Sequence, residues 1–163
     1  MKMVKIVFVL ALFGLVLGCD KKKETADKSV PEGTIQVFSS LPSAKTGVTF
    51  NNVLKESPQR HYSSFNPIYD GGGVATGDFN NDGLPDLYFT GNEVDNKLYL
   101  NKGNLQFEDI SEKAGVAAQG GWKNGVSLVD INHDGWLDIY VCKGGWIKDS
   151  TQRRNLLYIN KGD

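Results

Sequence analysis

Histidine and cysteine are scarce in this chain, and there is no excess of basic charge. From Thr34 onward 12 Lys/Arg stand against 15 Asp/Glu, and no basic stripe gathers anywhere. Nucleic-acid binding therefore lacks its electrostatic footprint and is not expected. The two histidines, His61 and His133, have no recognisable partner motif. Nothing resembles a nucleophile–base pair, so no catalytic residue is assigned and a non-enzymatic role is expected. Gly71-Gly72-Gly73 is not followed by Gly-Lys-Ser/Thr, which excludes a phosphate cradle. Glycines of this kind let two backbones crowd together. The one sustained apolar run, residues 6–17, is too short to span a membrane comfortably.

That run follows the basic segment Met1-Lys2-Met3-Val4-Lys5 and has the shape of a secretory signal. It ends Val16-Leu17-Gly18-Cys19, which resembles a bacterial lipobox. The resemblance implies cleavage before Cys19 and acylation of that cysteine. Residues 1–18 are then a signal peptide, and Cys19 holds the chain to a membrane, with attachment growing by about 0.8 kcal/mol per buried CH₂. Residues 20–33 hold four lysines, four acids and a proline but no aromatic, so they can bury little and read as a flexible tether. With Cys19 lipidated, Cys142 has no disulfide partner, and its place after Tyr140-Val141 suggests a small buried hydrophobe. Residues 34–163 remain for one ordinary domain.

What the domain has in abundance is aspartate in a fixed pattern. Asp78-Phe79-Asn80-Asn81-Asp82-Gly83-Leu84-Pro85-Asp86 recurs as Asp130-Ile131-Asn132-His133-Asp134-Gly135-Trp136-Leu137-Asp138. Each copy places oxygen side chains at positions 1, 3, 5 and 9 and a glycine at position 6. Position 7, Leu84 or Trp136, offers a backbone carbonyl. Hard cations take six to eight such oxygens, so two Ca²⁺ sites are expected. Their ligands are Asp78, Asn80, Asp82, Leu84 and Asp86, and then Asp130, Asn132, Asp134, Trp136 and Asp138. An EF-hand is excluded, because position 12 is Phe89 or Val141 rather than Glu and the flanks read as strands. His133 at position 4 points away from the cation as a solvated loop residue.

Self-similarity extends well beyond the loops. Residues 74–91 align on 126–143 without a gap, and residues 96–103 align on 155–162. The difference is an insertion: four residues (92–95) face eleven (144–154). One repeat reads as four short strands, at residues 73–77, 87–90, 97–101 and 105–108, with a hairpin turn at Lys102-Gly103-Asn104. A glycine-ended helical turn is expected at residues 111–115. Residues 38–41 echo residues 107–110, residues 45–48 echo residues 113–116, and an upstream strand is read near residues 35–41. Four-stranded units of this length predict an all-β fold, a partial β-propeller with blades at about 70–110 and 122–163. Fewer than two complete blades suggest the N-terminal fragment of a longer protein, whose ring the upstream strand would close.

The pattern Gly-Asp-Phe-Asn-Asn-Asp-Gly-Leu-Pro-Asp-Leu, followed by Leu-Tyr-Leu-Asn-Lys-Gly, resembles FG-GAP/VCBS repeats. Those repeats build the integrin α-subunit propeller, where aspartate-rich hairpin loops bind Ca²⁺. The continuation Phe-Glu-Asp-Ile-Ser-Glu-Lys-Ala-Gly-Val is similar to bacterial VCBS-repeat lipoproteins with an ASPIC/UnbV domain, a group related to cartilage acidic protein. The chain departs from the family pattern at Asn80 and Asn132, where many integrin loops have aspartate. It also lacks the Phe-Gly and Gly-Ala-Pro signatures.

The resemblance implies a calcium-stabilised lipoprotein of the bacterial cell envelope, at the outer membrane or cell surface, whose propeller binds or adheres to a protein or glycan. The alternative is the non-catalytic part of a larger polysaccharide-acting lyase or hydrolase. Ligand contacts are expected in the insertion, where Trp146, Lys148, Arg153 and Arg154 lie on a loop carried by a rigid scaffold.

Overall fold

The computed structural model describes Ile35, residues 37–145 and residues 147–163. The expected signal peptide, Cys19, the tether and Trp146 lie outside these. A compact unit runs from Ser40 to Asp163. It contains two antiparallel sheets. The first has strands β1 (Val74–Gly77), β2 (Asp86–Phe89), β3 (Lys97–Asn101) and β4 (Phe107–Asp109), in that order. The second has β5 (Trp122–Val129), β6 (Asp138–Gly144) and β7 (Leu156–Tyr158).

The two sheets repeat each other pair by pair. Val74 faces Phe89 as Val126 faces Val141, Ala75 faces Tyr88 as Ser127 faces Tyr140, and Gly77 faces Asp86 as Val129 faces Asp138. Tyr88 faces Leu98 as Tyr140 faces Leu157. The insertion leaves this register untouched, because it sits between β6 and β7 and carries its own 3₁₀ turn, Ser150–Arg153. A one-residue slip would exchange the faces of a strand, so the pattern of apolar side chains pins the pairing.

The core lies between the sheets. Tyr88, Leu98 and Phe79 from the first meet Ile139 and Val141 from the second, with Val116 closing one side. The other face of the first sheet is covered by the segment that precedes it. Phe50 stacks on Phe89 with ring centroids 5.0 Å apart, and the Thr49 N–H donates to the Tyr99 hydroxyl (3.2 Å). A smaller cluster joins Phe65, Ile68 and Trp122, with Leu54 and Ile147 packed against it.

Glycine earns its place where the sheets approach. A Cβ on Gly73 would stand 2.9 Å from the Gly125 Cα, and one on Gly72 would stand 1.9 Å from the Thr90 carbonyl oxygen. The backbones therefore do crowd at Gly72 and Gly73, while Gly71 has open space and takes φ 75° instead.

Several expectations need correction. The fourth strand starts at Phe107, not Leu105, because Gly103, Asn104 and Leu105 all take positive φ (80°, 52° and 57°) and prolong the turn. The second sheet begins at Trp122, and its first strand carries a bulge between Lys123 and Gly125. Of the expected upstream strand at 35–41, no described residue is in a strand; a helical turn, Ser43–Thr46, follows it instead. That turn ends on Gly47 at φ 78°, and residues 111–115 turn likewise onto Gly115 at φ 68°. Cys142 is exposed rather than buried. It shares the outer face of β6 with Tyr140, while Val141 between them fills the core.

Candidate functional site

The two aspartate loops connect β1 to β2 and β5 to β6, and each is built around its own side chains. In the first, the Asp82 N–H is shared between Oδ1 of Asp78 (3.1 Å) and Oδ1 of Asn80 (3.3 Å). The Gly83 N–H donates to Oδ2 of Asp78 (2.7 Å), and the Leu84 N–H donates to Oδ1 of Asp82 (2.8 Å). The Asn80 amide donates to Oδ2 of Asp82 (2.9 Å). The second loop repeats every bond. The Asp134 N–H is shared by Asp130 (3.1 Å) and Asn132 (3.2 Å), Gly135 donates to Asp130 (2.9 Å), and Trp136 donates to Asp134 (2.9 Å).

The turn chemistry explains the residue types. Gly83 and Gly135 sit at φ 85° and 88°, where a side chain is strained. Asn81 and His133 take φ 54° and 59°. Asparagine tolerates that region better than most residues. His133 is exposed, as a solvated loop residue should be. The loops also touch: the Asn81 amide donates to the Gly135 carbonyl at 3.3 Å.

Position 9 behaves differently from positions 1, 3 and 5. Asp86 and Asp138 are fully buried at the sheet ends. Asp86 accepts the Phe79 and Asn101 N–H groups (2.9 and 2.8 Å), and Asp138 accepts those of Ile131 and Asn160 (3.0 and 2.8 Å). Burial raises the Asp86 carboxyl above the ordinary carboxylate range. The two backbone donors oppose that rise, while the charges of Asp82 and Asp78 add to it. These aspartates therefore pin the loop to the sheet from inside.

Among the described residues no group of three or more His, Cys, Asp or Glu side chains is gathered closely enough to hold a metal ion. At each loop the structure brings together positions 1, 3 and 5, half-buried at Asp78 and Asp130 and exposed at Asn80, Asp82, Asn132 and Asp134. The donor set is all oxygen. An oxygen that accepts one N–H keeps a further lone pair, so these residues suit a hard cation chemically. The Trp136 ring lies against the backbone of Gly162, where an added Cβ would meet it at 2.6 Å.

Asparagines that sequence reasoning left aside hold the strands together. Asn101 donates to the Pro85 carbonyl (2.9 Å), and Asn160 donates to the Phe79 carbonyl of the neighbouring sheet (2.8 Å). Asn96 donates to the Tyr88 hydroxyl and Asn155 to the Tyr140 hydroxyl, both at 2.8 Å. Their recurrence at the same repeat positions was the available signal.

In the insertion, the Thr151 hydroxyl and amide donate to Asp149 (2.6 and 2.9 Å) and hold its carboxyl below the usual range. Lys148, Arg153 and Arg154 are exposed and form no salt bridge among the described residues. Lys148 lines a cavity with Trp122 and Arg60; Arg153 and Arg154 do not.

Comparison with known proteins adds two findings. Residues 78–141 match the FG-GAP-like repeat family. The chain is also 29% identical over 117 residues to cartilage acidic protein 1 of Xenopus tropicalis, a match that covers 71% of this chain. It spans 17% of that relative's length.

Proposed function

Because this chain is an FG-GAP repeat protein, we propose that its sheets are blades of a β-propeller that serves binding or adhesion. Each aspartate loop takes one Ca²⁺. The observation that carries this reading is the identity of the two loops, bond for bond, on sheets of identical register.

A second observation supports radial repetition. Tyr88, Leu98 and Leu100 of the first sheet correspond to Tyr140, Leu157 and Ile159 of the second. Tyr88 and Leu98 are 0% and 4% exposed, and the second sheet packs against them. Tyr140, Leu157 and Ile159 are 37%, 44% and 44% exposed. Another sheet of the same kind would cover them, as propeller blades do.

Asp78, Asn80, Asp82, the Leu84 carbonyl and Asp86 would hold one ion. Asp130, Asn132, Asp134, the Trp136 carbonyl and Asp138 would hold the other, with Asp86 and Asp138 also fixing each loop to its sheet through the backbone N–H groups they accept. The bound ion would neutralise carboxylates that otherwise repel. The role is non-catalytic. A lipid on Cys19 would tether the module to a bacterial envelope membrane, with the outer membrane or cell surface as its place, and a protein or glycan as its ligand.

Calcium at 100 times its Kd adds about 2.7 kcal/mol per site, which in a domain of this size is a rise on the order of 10 °C in Tm. Thermal melting of the full chain with calcium and with chelator measures it. Asp82→Ala and Asp134→Ala should each remove one site's share, about half of the combined rise. Identical melts in calcium and chelator would refute the cation sites. Glycan and protein arrays probed with the calcium-loaded chain test the binding role, which fails if nothing is retained on either.

A further inference from the structure

The two aspartate loops are joined to each other as well as to their own sheets. The Phe79 N–H donates to Oδ2 of Asp86 (2.9 Å), and the Phe79 carbonyl accepts the Asn160 side-chain amide (2.8 Å). The Asn160 backbone N–H then donates to Oδ1 of Asp138 (2.8 Å). Three hydrogen bonds thus lead from the position 9 carboxylate of the first loop to that of the second. Asp86 and Asp138 are 0% exposed and Phe79 is 7% exposed, so water has little access to the ends of this path. A further bond joins the loop tips, from the Asn81 amide to the Gly135 carbonyl (3.3 Å). Gly77, which leads into the first loop, is packed on the second sheet, where an added Cβ would stand 2.7 Å from both Leu128 and Leu137.

Asn101 holds the same repeat position in the first sheet and sets off what Asn160 does. Its backbone N–H donates to Asp86 (2.8 Å), and its side-chain oxygen accepts the Gly103 N–H (2.9 Å). Its amide ends on the Pro85 carbonyl of its own loop (2.9 Å). Asn160 repeats the first two bonds, but its amide is 3.4 Å from the equivalent Leu137 carbonyl and 2.8 Å from Phe79 of the neighbouring loop. Phe79 lies between Asp78 and Asn80, two of the first loop's oxygen donors. An ion that orders the first loop therefore fixes the Phe79 backbone, and through it Asn160 and Asp138. A second ion then finds part of the ordering of its own loop already done.

We propose that the two calcium sites are coupled through Asn160, so that calcium binds with positive cooperativity. Either ion raises the affinity of the other loop, by the same factor in both directions. The inference deepens the calcium reading proposed above and rests on it. Charge acts in the opposite sense, since an ion on one loop weakens the negative field at the other. Salt screens that effect and leaves the hydrogen-bonded path intact.

The test is calorimetric titration of the chelator-stripped full chain with calcium chloride, in about 0.15 M KCl. Asp82→Ala and Asp134→Ala each leave one loop able to bind and give the single-site association constants. The product of the two stepwise constants of the wild type should exceed the product of those single-site constants by about fivefold or more. In an Asn160→Ala background, with every constant measured again, the ratio should fall to about one. Asn101→Ala is the control: it loses the matching bonds within its own sheet and should leave the ratio unchanged. A merely structural role for Asn160 would move Tm and not the ratio. Should Asn160→Ala fail to fold, Asn81→Gly decides. It keeps the left-handed turn, removes the amide that joins the tips, and should lower the ratio about twofold or more; an unchanged ratio there overturns the coupling. A wild-type ratio near one, with two ions still bound, overturns the proposal and leaves the calcium sites standing. A ratio that survives Asn160→Ala, or that falls equally in Asn101→Ala, overturns the assignment to Asn160. Folded protein that binds no calcium sinks the calcium reading itself, and the coupling with it.

Discussion

Raising the pH from 7 to 10 should make this protein more stable, because of Lys123. That lysine is 1% exposed on β5, and among the described residues its amino group donates only to the Gly120 carbonyl, at 3.5 Å. Burial pushes its pKa from 10.5 down to about 8; the Asp95 charge opposes the fall and Lys143 adds to it. The folded state therefore holds the proton less tightly than the unfolded chain. Between pH 8 and 10.5 the unfolded state binds more protons, so stability climbs with pH in that window. Below pH 8 the cost is full and constant. At 1.36 kcal/mol per pH unit the cost approaches about 3 kcal/mol, most of it recovered by pH 10. Above pH 10 the trend reverses. Burial raises the Tyr88 and Tyr158 hydroxyls, so the unfolded chain ionises first and folding loses ground. Urea unfolding followed by tryptophan fluorescence at pH 7, 8, 9 and 10, at fixed calcium, measures the climb. Lys123→Met should flatten it and add about 2–3 kcal/mol at pH 7. If wild type and Lys123→Met give parallel profiles, the reasoning about this lysine is wrong.

Other outcomes follow from the same geometry. Tyr88→Phe strips a hydroxyl that donates to the Val116 carbonyl and accepts from Asn96, both at 2.8 Å, and should cost about 1–3 kcal/mol in urea unfolding. The exposed counterpart Tyr140→Phe should cost under about 0.5 kcal/mol. Gly73→Ala drives a methyl into the Gly125 backbone and should destabilise by about 1–3 kcal/mol in the same assay. Cys142, exposed on β6, should react with a thiol reagent in the native protein at the rate of a free thiol; reaction only after denaturation would contradict its placement.

Much of the first sheet was legible because the chain writes its pattern twice. Matching offsets at Asp78/Asp130 and Tyr88/Tyr140 implied equal pairing, and the ladders carry it. Local φ values were harder to read. Nothing in Asn104-Leu105 announces two consecutive left-handed residues, which the hairpin imposes. Cys142 was misread because Ile139-Tyr140-Val141-Cys142 is apolar throughout, so composition alone does not say which face meets the core. Packing against the first sheet decides it. The cavity was out of reach for a further reason. Arg60, Glu93, Trp122 and Lys148 come from stretches with no shared pattern, and only the fold makes them neighbours.

The insertion between β6 and β7 carries a consequence for how such a repeat can vary. Lengthening that corner from four residues to eleven leaves every ladder pair in place. Loop closure grows only logarithmically, so the extension costs about 1 kcal/mol of chain entropy. One residue added inside β6 would instead turn its apolar side chains to water. The corner is thus where the repeat can grow: chain is added there at small cost in loop entropy, with the sheet behind it serving as an unchanging frame, while Ile147 anchors the added stretch on the Phe65 and Trp122 cluster.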